Sequence, residues 1–510
     1  MSISIPRCGG RSSLLATGLL AALLLTPGPL TTPAHADERS TAQRFERARR
    51  DEPSLIAFLR TMPKGGDLHN HAGGALYLEQ GLDSAVEKGL FYNPKTLRFE
   101  REKSAENVPA SELLTNDPMR YQFFNIASMR GATEGPTGGH DHFFRTFGFL
   151  GGPWQSAGRD EVLATVARRA RMQNLQYLEL MAAPADDLLG ATAAKCSLKE
   201  GNERALEQLR PALDAYVAAA RQDLNMLDRE IARRLALEPP ISGARSPMTI
   251  RYLISGLRIA SDDQIFGTWA AAFALMKADP RVVGVNLVAP EDAPLARRGF
   301  DRHMQLLDFL WKKFDHPNVT LHAGELNLAL TPMEDMTNHI RKSIEIGHAK
   351  RIGHGTAVAW EDDVEGLLRK MREQRIAVEV CPTSAAVILG MEGDRHPFQL
   401  YRRAGVPLTI NTDDEGVSRS NMTMEYVRAV KAWNLSYRDL KELARNSIEY
   451  SFLPGESLFE GHDYRRVRSQ YQSLRRRGWQ PTDGDQSALA ASDKATVQAR
   501  LERAFSEFER

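Results

Sequence analysis

The chain has 510 residues, of which 42% are hydrophobic and 26% are charged, so it is long enough to bury a large core. Its 66 basic and 65 acidic residues give a formal net charge of +1, which offers no argument for a nucleic-acid partner. The one dense basic block, at 475–477, is short enough to be a solvated helix face. Beyond the N-terminal region, no segment has the length and apolar composition of a membrane span.

The first 36 residues have the features of a secretory signal peptide. Arg7 and Arg11 form a basic start, residues 14–25 are mostly apolar, and Ala34-His35-Ala36 is a cleavage motif. We therefore expect cleavage after Ala36 and export to the periplasm or the medium. An uncleaved membrane anchor is the less favoured alternative, because the apolar stretch is too short to cross a bilayer.

Short apolar runs alternate with amphipathic helical stretches along most of the chain. Because no hairpin signals separate them, these runs predict a parallel sheet, and eight strands predict a closed (β/α)8 TIM barrel of the α/β class. The predicted barrel spans residues 37–460, and residues 461–510 are predicted to form a helical C-terminal tail. The eight candidate strands lie at 64–69, 176–181, 249–254, 282–288, 318–322, 351–354, 376–381 and 406–412.

The connection between the first two predicted strands is roughly 100 residues long, far more than a barrel loop and helix need. We therefore expect an insertion over about 75–170. Its phenylalanine-rich stretch at 143–149 is expected to pack in a core, with a lid over a planar substrate as the less favoured interpretation. Beyond the second strand, residues 198–235 predict a long helical hairpin.

Four side chains of metal-binding type lie at the ends of predicted strands, where barrel enzymes place their catalytic groups. His69 and His71 share one face because strand side chains alternate. His322 would supply a third nitrogen and Asp413 an oxygen, a donor set that suits Zn²⁺ with one open position for water. The predicted strand at 282–288 has no lysine that could bridge two metals, so we expect a single ion.

Three further polar residues near these ligands are placed for acid–base chemistry. His354, which is flanked by glycines, can approach a substrate closely and is the expected base or electrostatic helper. Glu325, three residues after His322, is the expected proton donor to the substrate, a role that requires a pKa raised by burial. Asp414 is expected to accept a hydrogen bond from the substrate. The set of residues predicts metal-dependent hydrolysis at the mouth of a barrel.

Five segments of the sequence resemble motifs of the adenosine deaminases, which belong to the amidohydrolase superfamily. The Met-Pro-Lys-Gly sequence at the start of the first segment is closer to the secreted, growth-factor-related branch than to the intracellular enzymes. The resemblance covers about residues 55–460 and implies a zinc barrel that converts adenosine or 2′-deoxyadenosine to inosine or 2′-deoxyinosine with release of ammonia. The five segments are 62–71, 322–325, 351–355, 379–384 and 412–414.

The resemblance also implies a role for each candidate residue. Glu325 would protonate purine N1, His354 would handle the attacking hydroxide, and Asp414 would orient the hydroxide and the purine. The implied partner is a small-molecule purine nucleoside, with no nucleic acid and no membrane after signal cleavage, and the oligomeric state stays open. One zinc ion per chain would be bound by His69, His71, His322 and Asp413.

Three positions depart from the family pattern. Gly73 stands where the family usually has an acidic residue that contacts the ribose, Ala289 where it has glycine, and Glu415 where it has proline. All three concern how the substrate is held, so the alternative substrate is free adenine or another aminopurine derivative. A non-catalytic exported binding protein is disfavoured, because every residue of catalytic type is present.

Overall fold

The computed structural model describes residues 38–136, 138–237, 248–471 and 483–510. The proposed signal peptide and the basic block at 475–477 lie outside the described residues. None of the helices within the described ranges combines the length and apolar character that crossing a membrane requires.

Eight parallel strands form the centre of the fold. They make two four-stranded sheets of order β1-β5-β6-β7 and β8-β9-β10-β11. Single parallel bridges join the two sheets at both seams, from Val285 to Val319 and from Asn70 to Asp413. The ring is therefore closed, and the predicted (β/α)8 barrel and its eight strands are confirmed. The strands of the described residues are β1 (Gly65–His71), β2 (Phe91–Asn93), β3 (Arg98–Glu100), β4 (Val108–Pro109), β5 (Leu175–Met181), β6 (Thr249–Leu257), β7 (Val282–Val288), β8 (Thr320–Ala323), β9 (Arg351–His354), β10 (Ala377–Val380), β11 (Leu408–Ile410), β12 (Phe459–Glu460) and β13 (Asp463–Val467).

The barrel strands are buried on both faces because helices cover the outside of the ring. All seven residues of β5 are buried, as are the first six of β7, which explains why these strands read as continuous apolar runs. The helices of the described residues are α1 (Glu38–Ala48), α2 (Glu52–Thr61), α3 (Ala72–Ala75), α4 (Leu78–Glu87), α5 (Glu112–Thr115), α6 (Asp117–Ala127), α7 (Gly139–Ala157), α8 (Arg159–Met172), α9 (Asp186–Ala193), α10 (Asn202–Leu237), α11 (Asp262–Ala278), α12 (Pro294–Lys313), α13 (His339–Glu345), α14 (Val364–Glu373), α15 (Pro382–Leu389), α16 (Phe398–Ala404), α17 (Met422–Trp433), α18 (Tyr437–Glu449), α19 (Asp483–Ala490) and α20 (Asp493–Phe508).

The predicted helical hairpin at 198–235 is wrong, because this segment is the single helix α10. After Pro211 the segment contains no further glycine or proline and is rich in alanine, leucine, arginine and glutamate, so nothing in it favours a turn. Its buried face carries Leu209, Tyr216 and Leu224, which pack in the main hydrophobic core.

The segment between β1 and β5 has a core of its own. Besides helices α3 to α8 it holds a small antiparallel sheet of order β3-β2-β4, which the sequence analysis missed because it found no hairpin signals. Tyr92, Phe99 and Phe143 pack together there and against Val387 of α15, beside the barrel mouth. Phe143 is only 3% exposed, whereas Phe147 of the same helix is 40% exposed.

The C-terminal segment packs at the opposite end of the barrel. The hairpin of β12 and β13 occupies 459–467, so strand rather than helix begins the predicted tail, and α19 and α20 follow. Leu501 and Phe505 of α20 belong to the main core, and Arg500 Nη1 donates to Thr249 Oγ1 at the N-terminal end of β6. The C-terminal segment therefore packs against the N-terminal end of the barrel, and the mouth at the other end contains the polar groups.

Candidate active site and metal centre

The structure brings the predicted site residues together at the C-terminal ends of the barrel strands. Strand β1 supplies two of them, β8 supplies one and the loop after it another, β9 ends on one, and the loop after β11 supplies the last two. They are His69, His71, His322, Glu325, His354, Asp413 and Asp414. All are buried except His71, whose side chain is 18% exposed.

Three imidazoles and one carboxylate form a compact cluster. His322 Nε2 lies 3.0 Å from His69 Nε2 and 3.1 Å from His71 Nε2. Asp413 Oδ1 lies 3.3 Å from His71 Nε2 and 3.6 Å from His69 Nε2. Donor atoms around a tetrahedral zinc ion with bonds of about 2.0–2.1 Å are roughly 3.3 Å apart, so these spacings fit one small cation.

Hydrogen bonds on the far side of two rings fix their tautomers. His69 Nδ1 lies 2.7 Å from Glu379 Oε2, and His322 Nδ1 lies 3.0 Å from Asn286 Oδ1. That amide oxygen also accepts the backbone N–H groups of Leu287 and His322, so it acts as an acceptor and the ring nitrogen must donate. Both histidines therefore carry their proton on Nδ1 and present a lone pair from Nε2.

The Nε2 atoms of His69 and His322 lie 3.0 Å apart, and because the Nδ1–H of each ring is already donated, both Nε2 atoms could bind one cation placed between them. Burial lowers the pKa of His71 to about 4 and that of His322 well below its ordinary value, so both rings are neutral at pH 7. Neutral imidazoles and an ionised carboxylate are what a divalent metal requires. The cluster therefore has the chemistry of a metal site.

Asp413 is held in this cluster with a strained backbone. Its φ is 57°, in the left-handed region that favours glycine, and φ of His354 is 64°. The Asp413 N–H donates to the carbonyl of His69, and its carbonyl accepts from His71, which locks the residue against β1. Although burial acts in the opposite direction, His354 and the two β1 histidines lower the pKa of Asp413 to about 2, so it is ionised.

Glu325 and His354 form an acid–base pair beside the cluster. Burial raises the pKa of Glu325 well above its ordinary value, so its carboxyl keeps its proton to a higher pH than an exposed glutamate does. Burial lowers the pKa of His354 to about 3, so its ring is a neutral proton acceptor. His354 Nδ1 lies 3.5 Å from Glu325 Oε1, and neither atom has a hydrogen-bond partner among the described residues. Buried polar atoms without partners are expected where a ligand supplies them.

Asp414 occupies a space that glycine keeps open. A Cβ atom added at Gly74 would lie 1.7 Å from Asp414 Oδ1, so any side chain there would displace the carboxylate. Burial and the neighbouring Asp413 raise the pKa of Asp414 well above its ordinary value. Its Oδ1 has no hydrogen-bond partner within the described part of the chain, so it can contact a substrate.

The three departures from the family pattern differ in their structural effect. Ala289 has φ of 87°, so it keeps the backbone conformation that a glycine would adopt. A Cβ added at Gly73 would meet nothing within 4 Å, so the position usually taken by an acidic residue borders open space. Glu415 is buried and its Oε1 accepts from Arg169 Nη1 at 2.7 Å. None of the three disturbs the metal cluster.

Three residues outside the predicted set support the site through hydrogen bonds to its rings or its backbone. Asn286 and Glu379 orient the rings of His322 and His69, and Glu291 contacts the backbone of Glu325. The sequence does contain a signal for Asn286 and Glu379, because each is a single polar residue inside an otherwise apolar strand. Buried polar groups of this kind need a partner, and at a strand end near metal ligands that partner is a ligand side chain.

The insertion touches the mouth through a charged contact. His140, near the start of α7, lies with Nε2 3.1 Å from Asp292 Oδ1 in the loop after β7. A Cβ added at Gly139 would lie 1.9 Å from the Val387 carbonyl oxygen, so the beginning of α7 is in close contact with α15. The insertion therefore borders the site on two sides.

The known proteins that this chain resembles are deaminases. The sequence model of the adenosine deaminase family matches residues 208–459. An aminodeoxyfutalosine deaminase from Streptomyces coelicolor is 42% identical over 139 residues, which are 27% of this chain and 33% of that protein. An adenosine deaminase from Mycobacterium bovis is 25% identical over 256 residues, which are 48% of this chain and 65% of that protein. The matches thus span a third to about two thirds of the length of these curated relatives.

A solved structure supports the fold. The crystal structure of Arabidopsis ADAL complexed with GMP aligns with a TM-score of 0.50 at 20% identity, covering 78% of this chain and 94% of that one. The family match begins in α10 and extends to β12, so it includes His322, His354 and Asp413, and β1 adds His69 and His71 to the same cluster. With its closed barrel and this donor set, the chain belongs to the adenosine deaminase family of the amidohydrolase superfamily.

Proposed function

We propose that the protein is an exported, zinc-dependent aminohydrolase that converts adenosine or 2′-deoxyadenosine to the corresponding inosine with release of ammonia. One observation supports this most strongly. The Nε2 atoms of His69, His71 and His322 converge with the Asp413 carboxylate, next to a buried Glu325 whose pKa is raised. A metal site beside a carboxyl of raised pKa and a neutral imidazole is suited to adding water to an aromatic carbon.

The cluster fits zinc because its donors are imidazole nitrogens and a carboxylate oxygen, and with four protein ligands a water molecule would be the fifth ligand. A zinc ion bound there would lower the pKa of a water molecule to roughly 7 and so make it nucleophilic at neutral pH. Glu379 and Asn286 hold two of the histidine rings in the required orientation.

The remaining chemistry requires proton transfers by residues of this chain. Glu325 would donate its proton to purine N1, which makes the neighbouring C6 more electrophilic. His354, being neutral, would accept a proton from the attacking water. Asp414 would hold the purine by a hydrogen bond through its unpartnered Oδ1. Addition of one water molecule to C6 and loss of ammonia balance the reaction.

A second candidate substrate is an aminopurine derivative other than adenosine, or free adenine. The space beside Gly73 supports it, because the acidic residue that the family uses toward the ribose is missing and room exists for another substituent. The 42% identity over 139 residues to an aminodeoxyfutalosine deaminase supports the derivative rather than the free base. The chemistry at the metal is the same for each of these substrates.

Export and kinship with the secreted branch of the family form a separate part of the proposal. They rest on residues 1–36 and on the Met-Pro-Lys-Gly sequence at 62–65. Expression in a bacterial host followed by N-terminal sequencing tests them. A mature protein that begins at Asp37 in the periplasm or medium supports export, and an intact N-terminus in the cytoplasm contradicts it.

The activity is tested by ultraviolet absorbance with purified, zinc-loaded protein and adenosine, 2′-deoxyadenosine, adenine and a 5′-modified adenosine in parallel. Loss of the adenosine band with release of ammonia is the expected result. If only adenine or only the modified nucleoside is converted, that compound replaces adenosine as the proposed substrate. Absence of turnover with all four compounds, in protein shown to hold one zinc ion, would contradict the proposed function and favour a binding protein.

A further inference from the structure

Glu291 lies in the loop after β7 and contacts the backbone on which Glu325 is carried. Its Oε2 accepts the N–H of Glu325 at 2.8 Å, and its Oε1 accepts the N–H of Gly324 at 3.1 Å. The side chain is 2% exposed. One buried carboxylate therefore binds two consecutive backbone N–H groups at the position where the acid–base residue leaves the barrel.

Two buried partners hold the Glu291 carboxylate in place. His339 Nδ1 donates to Oε1 at 2.6 Å, and the His339 ring stacks on Phe300 with centroids 3.8 Å apart. The Arg258 guanidinium lies 3.6 Å from Oε2 and donates through Nη2 to the carbonyl oxygen of His322 at 2.8 Å. The same ion pair therefore touches the backbone of a metal ligand and the backbone of Glu325.

The loop between these two residues has little freedom of its own. Gly324 has φ of 71°, and a Cβ added there would lie 2.9 Å from the Ile340 side chain. With the backbone fixed by Glu291, the Glu325 carboxyl reaches to 3.5 Å from His354 Nδ1. Glu291 is ionised, because Arg258 and His339 lower its pKa to about 2 although burial acts to raise it.

We propose that Glu291 is a positioning residue, which fixes Glu325 at the distance from the metal cluster and His354 that proton transfer to the substrate requires. The inference rests on the proposed function, since it concerns the same reaction. Glu291 contacts the backbone N–H groups of Gly324 and Glu325 and touches no side chain of the metal cluster. Displacement of a catalytic group by about 1 Å can cost 100-fold in rate, so the loss of this contact should reduce turnover more than binding.

The test compares two matched substitutions, Glu291→Gln and Glu361→Gln. Glu361 is also buried and accepts two consecutive backbone N–H groups, from Ile340 at 2.6 Å and Arg341 at 3.4 Å, but it holds the start of α13. In each variant glutamine keeps the length, offers one acceptor oxygen and turns its NH₂ group toward a backbone N–H. Only Glu291→Gln alters a direct contact to the residue that carries the catalytic carboxyl, because Glu361 accepts from Ile340 and Arg341 and not from Glu325.

For Glu291→Gln we expect kcat to fall about 10- to 100-fold, with KM and zinc content within about threefold of wild type. For Glu361→Gln we expect kcat within about twofold of wild type. Unchanged kcat in Glu291→Gln, or an equal loss in both variants, would overturn the inference. A loss that follows zinc content would also overturn it, because the role would then concern the metal site.

His339→Gln decides the question if Glu291→Gln does not fold. It removes one hydrogen bond to Glu291 and leaves the ion pair with Arg258 intact, so we expect a smaller fall in kcat, about 3- to 10-fold, with zinc retained. Full activity of this variant would then overturn the inference. If the wild-type protein turns over no aminopurine, both the proposed function and the positioning role are rejected. If the wild type is active and the variants have the same kcat as the wild type, only the positioning role is rejected.

Discussion

His69 donates its Nδ1–H to Glu379, with the ring nitrogen 2.7 Å from Oε2 and both side chains fully buried. The other oxygen of Glu379 accepts from Arg351 Nε at 2.5 Å and from Thr320 Oγ1 at 2.7 Å. Arg351 and His69 lower the pKa of Glu379 to about 2, although burial acts to raise it. A buried charge on β10 therefore orients one ring of the candidate metal cluster without belonging to that cluster.

Replacement of this carboxylate should weaken metal binding. For Glu379→Gln we expect metal affinity to fall about 10- to 100-fold, because His69 loses the charged acceptor that fixes its ring. Competition with a chelator measures the affinity. Glu179→Gln is the matched control, since Glu179 also pairs with Arg351 at 2.5 Å but contacts no ligand. Equal affinities in the two variants would show that the contact to His69 does not orient the site.

Removal of a metal ligand should have a larger effect than removal of its support. For His69→Ala we expect zinc content near zero by elemental analysis, since this ring offers one of the four donor atoms of the candidate site. His348→Ala serves as the control, because His348 stacks on Trp311 away from the site. Full zinc content in His69→Ala would refute the ligand assignment.

The Glu325 carboxyl should be needed for turnover and not for folding. For Glu325→Gln we expect retained zinc and a fall in kcat of about 100- to 10,000-fold, because an amide cannot deliver the proton. Steady-state kinetics with the best substrate and elemental analysis of the same sample measure both quantities. Substantial activity in a zinc-loaded variant would remove Glu325 from the proton-donor role.

The same substitution has a predicted effect on stability as a function of pH in the metal-free protein. Burial raises the pKa of Glu325 well above the ordinary 4.5, so above that pH the folded state binds more protons at this residue than the unfolded state. The free energy of unfolding of the wild type must then decrease as pH rises from 4.5 toward the folded pKa. Glutamine lacks this dependence, so Glu325→Gln should gain stability relative to wild type as pH rises over that window. Denaturant titrations at pH 5 and pH 8 check the sign.

The barrel could be predicted from the sequence because its strands are buried on both faces and read as apolar runs. His69, His322 and Asp413 were found because each lies at the end of such a run. Glu291 could not be found, since its role depends on a contact to Glu325 that spans 34 positions in the sequence. The antiparallel sheet of the insertion was missed because its strands have two or three residues, too few to show a period of two.

Gly73 offers a test of substrate choice. A side chain at this position meets open space, so Gly73→Asp should fold normally and place a carboxylate at the mouth of the barrel. We expect the ratio of kcat/KM for adenosine over adenine to rise about 10-fold, the effect of one hydrogen bond from the ribose. Gly73→Ala, which adds no acceptor, should leave the ratio unchanged. An unaltered ratio in the aspartate variant would contradict the ribose interpretation.

Replacement of Ala289 by glycine should stabilise the folded protein. Its φ of 87° costs an L-residue roughly 1–2 kcal/mol, whereas glycine adds about 0.5–1 kcal/mol of chain entropy in the unfolded state. We therefore expect Ala289→Gly to raise the free energy of unfolding by about 0.5–1 kcal/mol in denaturant titrations. Ala185→Gly is a second test of the same effect, because Ala185 also has positive φ, 45°, at the start of α9. Both variants should gain stability, and a loss confined to Ala289→Gly would mean that the methyl group of Ala289 packs favourably at the barrel mouth.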